Sequence, residues 1–487
     1  MKRLLLISSL LILAAGAVSA ENAGDRSLVQ ILATCQEYDT HIPWQKKAPA
    51  TRAGYGVLIG PSQLLTTEDL TRNQALLQLR KPRSGEEYEA TVELADYQCN
   101  MAVLRISSAS FASALIPLAL ATNLPLNSDV EIVQFDETGE IQRGSARVVR
   151  VAVSQLPRAP NACLTIALQA EMNVNGAGAA VIYGGKLAGL IMQYDRNTRT
   201  ATMLPFPVIR RFREDFTSPP YKGIASAGFL WNPLIDPAAR GYYGAPPDGQ
   251  GILVLSTLPG SGAADVLKSG DVVLTWGGRP VDNLGYYDDP DFGRLLLPYL
   301  VSGRQSPGES VPVEMIRDRQ RQTVNVRVTR RLDAESLIPE NVLGEPAEYA
   351  VDAGFVIREL TADYLRAYGQ RWEVQVNPRI AHLYLSRGQQ PAKPGDRIVI
   401  LSRVLPDAIN VGYHMFHDEI VTKVNGEPVR NMADVFRILD RDRKLMRLSL
   451  QGIDLDIVVD SDRLDQANRR IARTYSIPKL RFSRTAR

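Results

Sequence analysis

Residues 172–181 read MNVNGAGAAV and lead into an apolar run, IYGGKLAG, over residues 182–189. The two glycines at positions 176 and 178 permit a tight turn that aims backbone N–H groups at one point, where such groups stabilise a developing oxyanion. No serine, threonine or cysteine lies between Ile166 and Asn197. The segment therefore has the turn of a hydrolytic loop without the nucleophile that such a loop presents.

Short β-prone segments recur at close spacing on both sides of this loop, with turn residues between them. This pattern predicts an all-β barrel or sandwich over residues 28–212. The predicted strands are residues 28–33, 56–59, 76–79, 88–94, 102–106, 130–135, 146–151, 164–167, 179–183 and 187–193.

An internal repeat follows the β-rich half of the chain. Residues 271–284, DVVLTWGGRPVDNL, match residues 419–432, EIVTKVNGEPVRNM, at an offset of 148 residues. Each copy has an acid, an alternating strand, a glycine turn, a second short strand and a segment leading toward a helix. The repeat predicts two related modules of mixed strands and helices, joined by a linker at residues 333–346.

The N-terminus has the pattern of an export signal. The chain has 487 residues, enough for about three domains. Its first 20 residues place Lys2 and Arg3 before an apolar run and end in small residues, which predicts cleavage before Glu21. The apolar run is shorter than the about 20 residues that span a membrane. We therefore expect an exported, periplasmic protein of the cell envelope with no transmembrane segment.

Charge and motifs give no basis for nucleic acid or a cofactor as a ligand. The 56 Lys and Arg residues nearly balance the 53 Asp and Glu residues. The Gly-x-Gly patterns lack the strand-to-helix context and the downstream acid of a nucleotide site. Two basic-rich segments, residues 210–213 and 317–331, are interrupted or flanked by acids. We expect these segments to form a solvated face or a linker.

The three cysteines, Cys35, Cys99 and Cys163, allow at most one internal disulfide. We expect all three to be small buried residues, the usual state of free cysteine. This expectation disfavours a catalytic thiol at Cys163.

Several motifs together point to a known family. The segments GYGVLIG at residues 54–60, LLTT at 64–67 and AVLRI at 102–106 precede the loop, and GDVV at 270–273 and KVNG at 423–426 lie in the repeat. Together they resemble the HtrA/Deg family of serine proteases, most closely its plant-type Deg members. The resemblance implies a mainly β protein, in which a trypsin-like double β-barrel precedes two PDZ-like α+β domains.

The resemblance also implies domain boundaries. They are a signal peptide at residues 1–20, an inactive trypsin-like protease domain at 21–217, a first PDZ-like domain at 218–332, the linker at 333–346, and a divergent second PDZ-like domain with a C-terminal extension at 347–487.

All three catalytic positions depart from the family pattern. The family's histidine follows an I-L-T-N-x element, and here Asp69 stands in that place. Its aspartate opens a D-L/I-A-V/L-L element, where this chain has Asn100, and its serine sits in G-N-S-G-G, where this chain has Ala177. The resemblance therefore implies a pseudoenzyme without a Ser-His-Asp mechanism.

A triad elsewhere in the chain has little support. Of the four histidines, only His41 precedes the loop, and it comes too early, so we expect it to be a solvated loop residue. A variant mechanism with Asp69 as the base lacks an activated partner.

The residues Tyr221-Lys222-Gly223-Ile224 resemble the Y-x-G-I/V loop of HtrA-type PDZ domains. In that loop, backbone N–H groups capture a peptide C-terminus, and an exposed strand edge pairs with the peptide. The resemblance implies peptide binding at Tyr221, Gly223 and Ile224. The alternative is a loop that its neighbours block.

The second module offers two weaker candidates. Residues 353–356, AGFV, stand in the place of the peptide loop, and the insertion at residues 370–395 favours a structural or oligomer-forming role there. Residues 414–418, HMFHD, have two histidines and no nearby cysteine, so we expect a polar turn and no metal site.

Three functions stay open at this level. The first is an inactive HtrA/Deg-like protein that binds peptides or misfolded proteins, as a homo-oligomer or in a mixed assembly with an active relative. The second is an active serine-type endopeptidase with a non-standard site. The third is a structural scaffold of the envelope.

Overall fold

The structure is a computed structural model that describes residues 25–80, 85–136, 138–156, 161–340, 342–388, 390–441, 444–460 and 462–484. The predicted signal peptide at residues 1–20 lies outside the described residues. Within the described ranges, no helix is both long and apolar enough to cross a membrane.

Six strands form a first closed barrel. They are β1 (Leu28–Cys35), β2 (Ala50–Gly60), β3 (Gln63–Thr66), β4 (Gln74–Arg80), β5 (Glu87–Asp96) and β6 (Met101–Ile106), with α1 (Glu68–Thr71) after β3 and α2 (Ala109–Ser113) after β6. The barrel closes in the order β1-β2-β3-β6-β5-β4. Along β1, Val29, Ile31 and Ala33 are buried inside, with the period of two that a barrel strand requires.

Six more strands form a second closed barrel. They are β7 (Asp129–Phe135), β8 (Ile141–Gln155), β9 (Ala162–Ala170), β10 (Ala180–Tyr183), β11 (Lys186–Asp195) and β12 (Thr200–Pro205), followed by α3 (Phe206–Phe216). The order is β10-β11-β12-β9-β8-β7. The predicted all-β region is confirmed, and each of its ten predicted strands overlaps an observed one. The strand prediction omitted β3 and β12.

The basic segment at residues 210–213 corrects one prediction. It belongs to α3, whose Ile209 and Phe212 pack into the core of the second barrel. Arg211 donates to the carbonyl of Gln305, and burial lowers the pKa of its guanidinium. The segment is therefore a packed helix and not a solvated face or linker, because the helical period places an apolar residue between the arginines.

The first repeated module follows α3. Its elements are β13 (Ala225–Ser226), β14 (Phe229–Pro233), α4 (Pro237–Tyr243), β15 (Ile252–Thr257), β16 (Val272–Trp276), β17 (Arg279–Pro280), β18 (Tyr286–Asp289), β19 (Gly293–Leu296), α5 (Leu297–Ser302), β20 (Ser310–Arg317), β21 (Gln320–Arg327) and β22 (Thr329–Arg330). Its main sheet has the order β14-β15-β16-β20-β21, with β17 paired to β16. Residues 317–331, predicted as a solvated face or linker, form most of a hairpin and the strand β22 and so are not a linker. Arg319, Arg321 and Arg327 are exposed, as on a solvated face.

The second repeated module contains the remaining elements. They are β23 (Tyr349–Asp352), β24 (Phe355–Glu359), α6 (Ala362–Arg366), α7 (Pro378–Arg387), β25 (Val399–Val404), β26 (Glu419–Val424), β27 (Glu427–Pro428), α8 (Met432–Leu439), β28 (Leu445–Leu450), β29 (Ile457–Asp460), α9 (Leu464–Thr474) and β30 (Arg481–Phe482), with short 3₁₀ turns at Asp333–Glu335 and Trp372–Val374. The sheet has the order β29-β28-β26-β25-β24-β23-β30, with β27 paired to β26.

The sequence repeat corresponds to a shared strand path. The path β14-β15-β16-β20-β21 of the first module matches β24-β25-β26-β28-β29 of the second, and the short strands β17 and β27 hold the same place. The copies differ before the helix, because a hairpin of β18 and β19 precedes α5, whereas α8 follows β27 almost directly.

Residues 333–346 are not a free linker in this structure. Leu337 and Ile338 are buried in a cluster with Tyr364 and Ile380 of the second module. The Ile338 N–H donates to the carbonyl of Gly388 at 2.8 Å. This part of the segment therefore packs as part of the second module.

Candidate functional site

Asp69, Asn100 and Ala177, the three positions predicted from the resemblance as a degenerate triad, meet where the two barrels touch. Asp69 lies on α1, and its backbone N–H donates to the side-chain oxygen of Asn100 at 2.9 Å. Asn100 has a φ of 53°, a left-handed conformation that asparagine adopts more readily than most residues. Its side-chain amide faces the sulfur of Met192 on β11 at 3.6 Å. Asn100 thus connects α1 to the second barrel.

Ala177 lies beside β2 and forms a bridge with Gly54. The N–H of Tyr55 donates to the carbonyl of Ala177 at 3.0 Å. A Cβ on Gly54 would lie 2.8 Å from that carbonyl and 2.8 Å from a methyl group of Leu70, the neighbour of Asp69. Only glycine at position 54 therefore allows this close approach between α1, β2 and the loop.

The loop around Ala177 keeps its tight turn. Gly178 has a φ of 81°, and a Cβ there would lie 2.4 Å from the carbonyl of Tyr55. The Gly178 N–H donates to the carbonyl of Ile191 at 2.8 Å. The backbone of a hydrolytic loop is present, and the side chain at its centre is a methyl group that cannot attack a carbonyl carbon.

A buried glutamine accepts a hydrogen bond from this loop. In trypsin-like proteases the oxyanion is stabilised by the N–H groups of the nucleophile and of the residue two positions before it. The positions with that spacing in this chain are Ala177 and Asn175. The Asn175 N–H donates to the side-chain oxygen of Gln134 at 3.0 Å. The Gln134 amide in turn donates to Gln142 and to the carbonyl of Asn173, both at 2.9 Å.

The side chain of Asn175 is fixed as well. The Tyr55 hydroxyl donates to its side-chain oxygen at 2.5 Å, and its amide donates to the carbonyl of Phe135 at 2.8 Å. Sequence reasoning missed Gln134, although a signal existed, because a glutamine that is 1% exposed interrupts the apolar end of β7.

His41 corrects the prediction of a solvated loop residue. Its ring packs edge-on against Tyr364 and Tyr368 of the second module, with ring centroids 5.2 and 5.0 Å apart. Burial, followed by the positive charge of Arg403, lowers the pKa of its imidazole. His41 is therefore part of the contact between the first barrel and the second module.

The prediction for the cysteines is confirmed. Cys35, Cys99 and Cys163 are buried and free of disulfides. Burial raises the pKa of the Cys163 thiol to about 12. Burial therefore keeps the thiol protonated at neutral pH, which disfavours it as a nucleophile.

The predicted peptide loop is held in place by its neighbours. The Tyr221 hydroxyl donates to Asp96 at 2.5 Å, and burial raises the pKa of that hydroxyl. Gly223 has a φ of 75°, and a Cβ there would lie 2.4 Å from the guanidinium of Arg330. Ile224 is 7% exposed. These contacts fix the loop directly before the strand β13.

Two N–H groups of this loop are bonded to a carboxylate of the same chain. The N–H of Lys222 lies 3.0 Å from each oxygen of Asp215, and the N–H of Gly223 lies 2.6 Å from one of them. Asp215 lies in the last turn of α3. Capture of a peptide carboxylate by the Gly223 N–H stays a prediction. In this structure that N–H donates to Asp215 of the same chain. Sequence reasoning missed Asp215, because an acid near a helix end has no distinctive local pattern.

A groove of about 270 Å³ extends from this loop between β14 and α5. Its walls include Ala227 and Trp231 on one side and Leu297 on the other. Among the residues that the structure describes, β14 pairs with β15 alone, and its other edge has no strand beside it. Asn161, next to β9 of the second barrel, also lines the groove, and its buried side-chain N–H₂ has no hydrogen-bond partner among the described residues.

The corresponding edge of the second module is covered. The strand β23 pairs antiparallel with β24 over residues 349–358, on the side where β14 has no neighbouring strand in the first module. The turn between β23 and β24 is also closed, because the Asn410 amide donates to the carbonyl of Ala353 at 2.7 Å. The Leu405 N–H donates to the carbonyl of Gly354 at 2.7 Å. The arrangement fits the structural role expected for residues 353–356.

The histidine-containing segment at residues 414–418 centres on a carboxylate. Asp418 accepts from the hydroxyls of Tyr364 and Tyr368, and it lies 3.0 Å from the ring of His417. Among the residues that the structure describes, no group of three histidine, cysteine or acidic side chains is arranged to hold a metal ion.

Comparisons with known proteins agree with this architecture. A PDZ domain family matches residues 338–483. The chain is 25% identical to the putative mitochondrial protease Do-like 3 of Arabidopsis thaliana over 94% of this chain and 80% of that protein. It is 26% identical to the chloroplastic protease Do-like 2 of the same plant over 93% of this chain and 74% of that protein.

A solved structure shares the fold. A variant of the HtrA-type protease AlgW with a decapeptide superposes with a TM-score of 0.52 at 17% sequence identity, covering 64% of this chain and 97% of that one. The double barrel followed by PDZ architecture, predicted from the sequence, is therefore confirmed.

Proposed function

We propose that this chain, a member of the HtrA/Deg family of Do-like proteases, is a pseudoprotease that binds extended segments of peptides or misfolded proteins without cleaving them. The open edge of β14 beside an apolar groove carries the proposal. An exposed strand edge next to such a groove accepts a peptide as an added strand. The structure of AlgW with a decapeptide supports this use of the fold.

The proposed lack of catalysis has two supports. Ala177 offers no nucleophile, and Asp69 and Asn100 stand where a base and its orienting carboxylate would be needed. The second support is the bond from the Asn175 N–H to Gln134, since a donor that is already bonded inside the protein does not stabilise an oxyanion. Together they remove both the attacking group and part of the transition-state stabilisation.

The proposed localisation is the cell envelope. The export signal at residues 1–20 supports this location. We expect the chain to act there as a homo-oligomer or in a mixed assembly with an active relative. Cell fractionation tests the location, and a cytosolic protein that retains residues 1–20 would contradict it.

The binding function is tested with the full chain and a chemically unfolded client protein. Light scattering follows aggregation of the client, and we expect the chain to suppress it at near-stoichiometric ratios while the client stays intact on a gel. Heat-denatured chain serves as the control for crowding. Unchanged aggregation of the client would contradict the proposal.

A further inference from the structure

The N–H groups of the predicted peptide loop already have a charged partner. Asp215 accepts from Lys222 with both oxygens and from Gly223 with one, at 2.6–3.0 Å. Hydrogen bonds from N–H groups to a carboxylate are about twice as strong as those between neutral groups. Asp215 therefore makes the contacts that the terminal carboxylate of a peptide would make with this loop.

The rest of the structure holds Asp215 in this position. Phe206, Ile209 and Phe212 anchor α3 in the core of the second barrel. On the other side of the contact, Asp96 holds Tyr221, and Arg330 packs against Gly223. Because both partners are fixed by buried contacts, moving Asp215 away would leave two loop N–H groups without an acceptor.

An incoming terminal carboxylate meets loop N–H groups that already have a carboxylate partner. Two of the basic side chains beside the loop also have partners of their own. Arg211 donates to the carbonyl of Gln305, and Arg304 pairs with Asp289 and Asp291. A second carboxylate at this loop would lie beside that of Asp215, and such like-charge contacts are unfavourable.

The strand edge beyond the loop stays open, and there is room for a chain to continue. Within the described parts of the chain, the edge of β14 has no partner strand. The Asn161 amide in the groove, which has no hydrogen-bond partner within the same residues, is a donor for a peptide carbonyl. On the other side of the loop, a cavity of about 560 Å³ is lined by Lys222, Gly223 and Arg304. A bound chain can therefore run past the loop instead of ending there.

We propose that the first module selects internal segments of extended polypeptide, and that Asp215 sets this selectivity by occupying the place of a terminal carboxylate. The inference rests on the proposed peptide-binding function and specifies its substrate class. The preferred ligand has alternating apolar side chains for the groove and no free C-terminus at the loop.

The test uses the full chain and a decapeptide library with valine, leucine or isoleucine at alternate positions. The library is labelled at the N-terminus and made as free acids, as amides, and with a Gly-Ser tail. Fluorescence anisotropy should give dissociation constants that agree within about twofold for the three forms. In Asp215→Ala, the free acid should bind about tenfold more tightly than the amide, because two N–H groups are released.

Two further variants keep the test decisive. Asp265→Ala removes an exposed carboxylate of the first module that lines neither the groove nor the cavity beside the loop, and it should behave like the wild type. Asp215→Asn keeps an acceptor and loses the charge, so it should show an intermediate preference if Asp215→Ala fails to fold. A clear preference of the wild type for free acids overturns this inference and leaves the proposed function standing. Absence of binding to all three forms by the wild type and the variants overturns the proposed function, and this inference with it.

Discussion

The two repeated modules share a strand path and differ at one edge of the sheet. In the first module, β14 is the last strand of the sheet, and its free edge faces the groove beside α5. In the second module, β24 is covered by β23, and β30 continues the sheet beyond it. The second module thus fills, with its own chain, the position that an added peptide strand would take in the first.

The difference predicts that peptide binding depends on the free edge of the sheet and not on the strands that the two modules share. In two other places, a side chain of this protein accepts from backbone N–H groups that a ligand or substrate would otherwise use. Gln134 accepts from the Asn175 N–H in the hydrolytic loop, and Asp215 accepts from the N–H groups of the peptide loop. The edge of β14 stands apart from these examples, because its backbone groups face a groove and not another strand.

The largest expected effect concerns the matched cores of the two modules. Trp276 and Val424 hold equivalent places in the repeat, and both are 0% exposed. Trp276→Ala should lower the free energy of unfolding by about 3–5 kcal/mol. Val424→Ala should cost less, about 1.5–3 kcal/mol, because a smaller apolar side chain is removed.

Denaturant unfolding followed by far-ultraviolet circular dichroism measures both effects. Separate transitions for the two variants would show that the modules unfold independently. We expect the larger side chain, Trp276, to contribute more to stability than Val424. An equal decrease in the free energy of unfolding for the two substitutions would contradict this expectation.

The next effect is a loss of peptide binding on filling the groove. Ala227 lies in the groove wall with partial exposure, so Ala227→Trp should block an added strand and weaken binding of the decapeptide library by at least about tenfold. Leu385→Trp, at a residue of the second module that is 66% exposed, is the matched control and should bind normally. Full binding by Ala227→Trp, measured by anisotropy, would place the peptide elsewhere.

The strand content and the repeat could be predicted from sequence because both depend on local alternation and turns. Residues 271–284 match residues 419–432 in sequence. If the strand order of one module is known, this match predicts the order β24-β25-β26-β28-β29 in the other. The covering strand β23 could not be predicted, since its four residues form a strand only through pairing with β24 and β30.

The contacts that form the candidate sites join residues that are far apart in the sequence, or residues without a recognisable local motif. They could not be predicted for that reason. Gln134 meets Asn175 from 41 positions away, and His41 meets Tyr364 across two domains. The charges of residues 210–213 alone suggest a solvated segment. The helical period, which buries Phe212 between the arginines, shows why the segment packs instead. The absence of serine, threonine and cysteine from the loop around Ala177, by contrast, could be read from the sequence itself.

A smaller effect concerns how the second module docks on the first barrel. Burial lowers the pKa of His41 in the folded state, so the unfolded or undocked state binds the proton more readily. The docked state should therefore lose stability as the pH falls from the unfolded His value of about 6.5 through the lower folded pKa. Arg403 and Arg358 also oppose protonation, whereas Asp39 and Asp418 favour it.

Thermal unfolding of the wild type and of His41→Phe between pH 7.5 and pH 4.5 tests this dependence. His41→Phe keeps an aromatic ring against Tyr364 and Tyr368 and removes the titrating group. The melting temperature of His41→Phe should therefore fall less steeply than that of the wild type as the pH is lowered. Identical profiles for the two proteins would show that His41 has no role in the contact.

The central claim is that this chain binds polypeptide without cleaving it. The most direct measurement incubates the wild type, Ala177→Ser and the triple variant Asp69→His, Asn100→Asp, Ala177→Ser with casein and a fluorophosphonate probe. We predict no labelling and no turnover by the wild type or by Ala177→Ser, because triad members act as a unit. The triple variant should reach only trace turnover, since Gln134 still holds the Asn175 N–H. Serine-type labelling together with casein turnover by the unmodified chain would contradict the account.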